Sequence, residues 1–236
     1  MIKSIFGLIG LVFVLNAADV YTTFNVEAQK SANLAFDASG VVQKVNSDIS
    51  NAVKKGDILA SLGNADKQAT LDIARTAMKY AKKDYDRQVK VRKLIDSAKF
   101  DASEFKYENA KNQYAYSLAM YNKTVLKAPF DGVIFFKNIE VGDTVSGMML
   151  KTVYKIQSIR ERKLVISFDQ KYHKSVKVGQ KFKYSIDGDD KIYEGVISKI
   201  YPFANSGNRK IKAEVLAENF VVGLFGEGYI NIPESK

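Results

Sequence analysis

The chain has 236 residues, no cysteine, one histidine and a formal net charge of +10 at pH 7. Without cysteine it cannot form disulfide bonds, thiolate metal sites or a cysteine nucleophile, and the single His173 gives no basis for a catalytic triad or a clustered metal site. The positive charge is compatible with anionic membranes or acidic partners, but no stretch has the basic and aromatic pattern of a nucleic-acid module. We therefore predict no enzyme activity, no cofactor or metal, and no nucleic-acid partner.

The first 17 residues have the layout of a secretory signal peptide. Lys3 precedes an apolar run from Ile5 to Leu15, and small residues follow at 16–18. The apolar run is shorter than the roughly 20 residues that a membrane span needs. We expect residues 1–17 to be removed on export to the periplasm, and an uncleaved N-terminal anchor is the alternative.

Two segments of the chain repeat the same pattern, and a strand-like stretch at residues 20–28 precedes the first. With Gly132 placed under Gly40, "GVIFFKNIEVGDTV" follows "GVVQKVNSDISNAV" with Gly, Val and Asn in step. Both copies contain short strands separated by turn residues. We predict that residues 36–64 and 127–157 are two halves that pair into one small β-sandwich. The glycines assigned to its turns are Gly40, Gly56, Gly132 and Gly142.

Between the two halves, residues 65–126 contain neither glycine nor proline, which favours long helices. Apolar residues recur in steps of three and four, the spacing of a coiled-coil seam, at Leu71, Ala74, Met78, Ala81 and Tyr85, and again at Tyr107, Ala110, Tyr114, Leu118, Tyr121 and Val125. We predict one helix from about Asp66 to about Ser97 and a second from about Ala102 to about Val125, with Asp101 as the N-cap of the second. Such an antiparallel hairpin begins and ends at one place, so it can be inserted between the halves.

Residues 158–236 read as a small β-barrel. Five strand-like runs follow one another at the spacing of an all-β barrel, and a short helix capped by Asp169 lies between the first two. We assign residues 20–35 to this barrel as an additional N-terminal strand. The predicted fold class is therefore α+β with several modules, in which a split sandwich is interrupted by a long helical hairpin and followed by a small barrel.

This order resembles the periplasmic adaptor proteins of bacterial tripartite efflux pumps, the membrane fusion proteins of the HlyD type. "SGVVQKV" with "VKKGDIL" (39–59) is similar to the first lipoyl-like half of that family, and "KAPFDGVI" with "VGDTV" (127–145) is similar to the second. The runs "VGQKFKYSIDG", "GVISKIYP" and "VGLFGEGYINI" are similar to its barrel motifs. Ser50 stands where the family usually has glycine. The chain stops soon after the barrel, so it resembles the short adaptors, in which the membrane-proximal domain is reduced or absent.

The resemblance implies partners and contact residues. In the family the hairpin tip contacts an outer-membrane channel, and the best register places Lys90, Leu94 and Asp101 on the tip motif, with only Leu94 identical. The competing interpretation is that Leu94 only closes the coiled coil and Asp101 only caps a helix. The resemblance also implies an inner-membrane transporter at the barrel end and self-association into a ring.

Two functions follow for comparison. The first is a periplasmic adaptor that links an inner-membrane transporter to an outer-membrane channel and performs no chemistry. The second is a periplasmic solute-binding or carrier protein built on a lipoyl-like sandwich, which would need a concave pocket with convergent polar groups. The long hairpin favours the adaptor, because a solute carrier has no evident use for a rod.

Overall fold

A computed structural model describes residues 18–149 and 151–232. The described chain divides into two compact units, residues 30–159 and residues 18–29 together with 160–232. The segment assigned to a signal peptide lies outside the described residues. Among the helices that are described, none is both long and apolar enough to cross a membrane.

The secondary structure of the described residues is mostly strand, with one pair of long helices. In chain order the elements are β1 (Ala18–Ala28), β2 (Ser31–Leu34), β3 (Gly40–Val45), β4 (Ala52–Val53), β5 (Ile58–Leu62), α1 (Ala65–Lys90), α2 (Ser97–Asn122), β6 (Val125–Lys127), β7 (Gly132–Lys137), β8 (Thr144–Val145), β9 (Tyr154–Gln157), β10 (Glu161–Asp169), β11 (Lys181–Ile186), β12 (Tyr193–Asn205), β13 (Lys210–Glu218) and β14 (Phe225–Ile232).

The barrel unit confirms the strands predicted for the C-terminal part of the chain. Within the described residues it closes in the order β1-β10-β13-β12-β11-β14, with every neighbouring pair antiparallel. The assignment of residues 20–35 to the barrel is only partly right. β1 joins the barrel, but β2 pairs with β9 in the other unit. The chain leaves the barrel after Ala28, where its last partner is Arg162.

A short 3₁₀ helix, Gln170–Tyr172, follows β10 where the sequence predicts a short helix. The Asp169 carboxylate accepts a hydrogen bond of 2.8 Å from the Lys171 backbone N–H, as expected for a cap. Val176, a few residues later, is buried in the barrel core. The segment after β10 therefore covers one end of the barrel.

The sandwich unit consists of two interlocked sheets. In the described residues the strand orders are β2-β9-β7-β4 and β6-β5-β3-β8. β4 comes from the first half of the repeat yet pairs with β7 of the second, and β8 of the second pairs with β3 of the first. Each half thus places a strand in the other's sheet, and the apolar faces of both sheets form one core around the fully buried Tyr154 and Leu59.

The repeat in the sequence is a repeat in the structure. β3, β4 and β5 follow one another in the first half as β7, β8 and β9 do in the second. Ser50 has a φ of 70°, and Gly142, at the equivalent position, has a φ of 97°. The first half therefore places serine in a left-handed conformation that glycine adopts more easily.

The prediction for the four glycines is half wrong. Gly56 and Gly142 lie in turns with positive φ, whereas Gly40 and Gly132 are the first residues of strands β3 and β7. Gly132 is needed for a different reason, since a Cβ there would lie 2.5 Å from the Gln157 carbonyl oxygen on the paired strand. Close approach of two strands, and not turn conformation, explains this glycine.

The helices pack as an antiparallel hairpin. At its base the Asn64 side-chain amide donates to the Thr124 hydroxyl at 3.1 Å, and near its tip the Tyr85 ring stacks on the Tyr107 ring at 5.5 Å. Each helix has 26 residues and is therefore about 39 Å long. Every residue of the predicted seam is buried or partly buried, and α2 adds two buried serines to it, Ser103 and Ser117.

The contacts at the base of the hairpin indicate that the sandwich can fold without the helices. The Leu62 N–H donates to the Thr124 carbonyl at 2.9 Å, so the two chain crossings already lie side by side. We expect that a protein in which a short Gly-Ser linker replaces residues 64–123 still melts cooperatively, because β5 and β6 remain paired. Differential scanning calorimetry tests this, and a broad, non-cooperative transition of the sandwich would contradict it.

Candidate partner-binding site at the hairpin tip

The tip is a compact turn of six residues, 91–96. α1 ends at Lys90, a single 3₁₀ turn covers Arg92–Leu94, and Ile95 is extended. The Leu94 N–H donates to the Val91 carbonyl at 2.8 Å, which fixes the turn. The predicted first helix therefore ends seven residues too late, because the chain tightens into this 3₁₀ turn before Ser97 instead of continuing as α-helix.

Leu94 is highly exposed in this turn. Its exposed fraction is 85%, although it is a large apolar residue that could have closed the coiled coil. Val91 beside it is also exposed, and Ile95 is partly exposed. An apolar side chain held in water at the end of a rod does little for stability, and the interpretation that Leu94 only closes the coiled coil is therefore not supported.

Cationic residues are close to Leu94 in the chain. Lys90, Arg92 and Lys93 precede it, and Lys99 follows in the first turn of α2. The Arg92 guanidinium lies 4.3 Å from the centre of the Phe100 ring, close enough for a cation–π contact that orients this side chain. The tip therefore combines an exposed apolar side chain with several nearby cations in the chain, which suits an acidic partner with an apolar depression.

The N-cap of α2 is Asp96, and the prediction that Asp101 fills this role is wrong. The Asp96 carboxylate accepts from the Ala98 backbone N–H at 2.7 Å. Asp101 lies four residues into the helix, where its side chain is exposed and the backbone N–H groups already have helical partners. Asp101 followed by Glu104 resembles a capping box, whereas Asp96 has no acidic partner three residues later. The capping-box pattern therefore indicated Asp101 instead of Asp96.

The three residues predicted from the tip motif therefore have different positions. Lys90 is the last residue of α1, Leu94 is in the 3₁₀ turn and Asp101 is on the second turn of α2, all three exposed. Sequence reasoning did not single out Arg92 and Lys93, and it assigned the cap of the second helix to Asp101 instead of Asp96. The Asp96-Ser97 pair, a good N-cap followed by a helix start, is the signal that could have located the turn.

Aromatic residues support the tip from below. The Tyr85 ring contacts both the Tyr107 ring and the Phe100 ring, with the Phe100 centroid at 5.7 Å. Burial raises the pKa of the Tyr85 hydroxyl, and the nearby Glu104 carboxylate adds to this effect. Tyr85 is therefore neutral at physiological pH, and the layer under the tip is an uncharged, packed platform.

The chemistry available at the tip is binding. Its side chains supply apolar surface and fixed positive charge, with no nucleophile paired to a base. Across the described residues no group of three or more His, Asp or Glu side chains is arranged to hold a metal ion.

The family becomes clear from residues 30–157, which match the model of the CzcB-like, barrel-sandwich hybrid domain. This match covers more than half of the chain. The chain belongs to this family. The matched range coincides with the sandwich unit and its hairpin, which end at residue 159.

Curated relatives extend the similarity to much of the chain. The cobalt-zinc-cadmium resistance protein CzcB of Cupriavidus metallidurans is 27% identical in an alignment of 208 residues that covers 80% of this chain and 39% of that protein. The cation efflux system protein CzcB of an Alcaligenes species is 26% identical over the same shares of the two chains. The chain thus spans about two-fifths of the length of these relatives.

A solved structure with the same fold is a MacA–MexA chimeric protein containing the α-hairpin domain of Pseudomonas aeruginosa MexA. Its TM-score is 0.78 at 20% identity, and the match covers 93% of this chain and 82% of the chimera. At this identity the likeness establishes the fold and nothing further.

The corrected cap assignment can be tested directly. We expect Asp96→Ala to lower the free energy of unfolding by about 1 kcal/mol, because the first turn of α2 loses its side-chain acceptor. Asp101→Ala should change it by less than about 0.5 kcal/mol, since an exposed helical position tolerates substitution. Urea denaturation of the two variants measures both values. A larger loss for Asp101→Ala than for Asp96→Ala would contradict the assignment.

Proposed function

We propose that this protein is a periplasmic adaptor that connects an inner-membrane transporter to an outer-membrane channel in tripartite efflux. The observation that carries the proposal is Leu94, an apolar side chain 85% exposed and close in the chain to several cationic residues, at the end of a hairpin about 39 Å long. A stable fold does not require such a residue, but a docking contact does. Membership of the CzcB-like family supports the same function, and nothing favours the alternative of a solute carrier.

We further propose divalent metal cations as the cargo of the pump. The support is the name of the curated relative, a cobalt-zinc-cadmium resistance protein. The adaptor itself would act by geometry, since it would seal the path between two membrane proteins and leave the recognition of the cargo to the transporter. The barrel would face the inner-membrane transporter and the tip would face the channel.

The outer surfaces of the hairpin support self-association of copies. On α2 a second row of residues, all uncharged and spaced by three and four, is exposed beside the seam; it consists of Ala98, Ala102, Phe105, Asn109, Asn112 and Tyr116. On α1 an exposed row of small and apolar residues with the same spacing consists of Ala69, Ile73, Ala77 and Tyr80. We call these the α2 stripe and the α1 stripe.

The two stripes differ in composition and lie on different helices. A contact between the α2 stripe of one copy and the α1 stripe of the next would therefore be head-to-tail, and repetition of such a contact produces a ring when the rotation closes. The alanines in both stripes allow close packing of neighbouring helices, as at a coiled-coil seam, and the two asparagines of the α2 stripe can hydrogen-bond across the contact. Hairpins placed side by side in this way would bring several Leu94 side chains to one end.

The tip is tested by Leu94→Asp. We expect this variant to keep its melting temperature, because the side chain is exposed, and to reduce cellular tolerance of cobalt, zinc and cadmium ions to that of cells without the protein, because a charge enters an apolar contact. The matched control is Val141→Asp, which introduces the same charge at an exposed apolar position of the sandwich.

Two results would contradict the tip assignment. Cells with Leu94→Asp that tolerate the metals as well as cells with Val141→Asp would show that the tip makes no essential contact. A purified Leu94→Asp protein that fails to fold would show that Leu94 belongs to the core.

Lys90→Glu should weaken channel binding more at low than at high salt, since screening reduces the effect of a surface charge.

The stripes are tested by two double variants, Phe105→Glu with Tyr116→Glu on α2 and Ile73→Glu with Tyr80→Glu on α1. Each double variant alone should be monomeric. The loss of a central aromatic contact in an interface can cost about 2 kcal/mol or more of binding free energy. An equimolar mixture should form dimers that do not grow, because each variant retains one intact stripe. Sedimentation velocity measures the size of the species in the mixture. A mixture that contains only monomers would refute a head-to-tail contact.

A further inference from the structure

One end of the barrel collects several strand ends. Ala18, the start of β1, is paired with Ile232, the end of β14, and Asp169, the end of β10, is paired with Lys210, the start of β13. Asn205, the end of β12, is also paired with Lys210. We call this the basic end. Both described termini of the chain therefore lie at the basic end.

The segment after β10 closes the basic end and carries lysines over it. The Gln170 N–H donates to the Arg209 carbonyl at 3.0 Å, which joins this segment to the turn between β12 and β13. Val176 is buried in the barrel core, so the residues on either side of it are held at the surface of the cap. This places Lys171, Lys174 and Lys177 on the same end as Arg209.

The cations of this end are exposed and lack acidic partners among the described residues. They are Lys171, Lys174, Lys177, Arg209, Lys210 and Lys212. The nearby acids are Asp19 and Asp169, and the Asp169 carboxylate caps the 3₁₀ helix. Elsewhere on the barrel several lysines are paired, as where Lys163 and Lys199 share the Glu214 carboxylate and Lys181 pairs with Glu194. The basic end therefore combines a high density of charge with little internal neutralisation.

Two apolar side chains stand among these cations. Val178, between Lys177 and Gly179, is 59% exposed, and Phe203 near the end of β12 is 60% exposed. The opposite end of the barrel carries negative charge. There the connection from β11 to β12 is "DGDDKI" (187–192), with three aspartates and one lysine. The unequal ends indicate that only one of them suits an anionic surface.

We propose that the basic end binds the anionic phospholipid headgroups of a bilayer, with Val178 and Phe203 entering the interfacial layer. Lysine and arginine around a small apolar patch is the chemistry of interfacial membrane binding. The chain that precedes Ala18 favours this occupant over an acidic protein. An uncleaved apolar run at residues 5–15 would tether this end to the bilayer, and cleavage would add a free α-ammonium group to it.

This surface is separate from the hairpin tip, so the inference goes beyond the proposed adaptor role and does not depend on it. A protein that binds no channel would still bind anionic vesicles through its barrel. A protein that binds a channel would do so whether or not the basic end meets lipid. The two ideas can therefore fail independently.

The first experiment is co-sedimentation of the purified full chain with vesicles of phosphatidylglycerol and phosphatidylethanolamine, compared with neutral phosphatidylcholine vesicles. We expect preferential binding to the anionic vesicles that weakens with added salt. Lys174→Glu with Arg209→Glu should reduce the preference roughly tenfold or more, because each charge near the surface contributes to binding. Lys54→Glu with Lys55→Glu, an equal charge change in the sandwich unit, should leave it nearly unchanged.

The second experiment uses the absence of tryptophan from the chain. In Val178→Trp the emission of the new indole should shift to the blue on anionic vesicles, because it enters the interface. Val221→Trp is the matched control, since Val221 is a 70% exposed valine in the connection from β13 to β14 at the opposite end of the same barrel. Its emission should not change.

The outcomes separate the alternatives. Equal binding to anionic and neutral vesicles, or equal losses in the two charge variants, would overturn the proposal, since the basic end would then contribute nothing specific. A blue shift at Val221 and none at Val178 would also overturn it. Absence of vesicle binding, combined with capture of an acidic membrane protein that Lys174→Glu with Arg209→Glu abolishes, would assign the surface to a protein instead.

Discussion

The pairing of β5 with β6 is the constraint on which the sandwich unit depends. These strands stand immediately before and after the hairpin, and Ser61 is paired with Val125 although 64 residues separate them in the sequence. The pairing requires the inserted chain to return to its starting point, which two antiparallel helices of equal length accomplish. In the same place a hydrogen bond joins Asn64, just before α1, to Thr124, just after α2. The pairing of β5 with β6 therefore fixes where the hairpin begins and where it ends.

The same constraint bears on the short connection at the hairpin tip. Only six residues connect the two helices, and Leu94 in this connection is exposed. The Asp96 cap, the 3₁₀ turn and the aromatic layer of Tyr85, Phe100 and Tyr107 hold these residues in one conformation. A rigid, exposed apolar residue loses little conformational entropy when it binds, so a small contact can contribute usefully to affinity.

Much of this fold was predictable from the sequence because it depends on local patterns. The observed sandwich corresponds to the pattern that recurs 92 residues along the chain. The hairpin corresponds to the region without glycine and proline, and the barrel to the alternating strands. The partners of short strands were not predictable. Nothing in "AV" at 52–53 or "TV" at 144–145 indicates that each pairs with the other half, because alternation identifies a strand but not its neighbour.

The candidate site was predictable in part for a similar reason. Leu94 was found through a family motif, and its exposure follows from the turn that the structure shows. The positions of Asp96 and Asp101 were interpreted wrongly, because two aspartates five residues apart both have capping chemistry and only the backbone geometry decides between them. Gly132 was taken for a turn residue, since the close approach of β9 that requires it is a tertiary contact.

The exchange of β4 and β8 between the halves has a consequence for how the protein folds. β4 finds its partner only at Val133, so the first half has no complete sheet of its own until the second half is available. The helices make mostly local contacts and can form early, and by closing the loop they lower the entropy cost of joining strands that are far apart in sequence. The hairpin would then be a folding template as well as a rod, and slow helix formation would prolong the exposure of unpaired strand edges to aggregation.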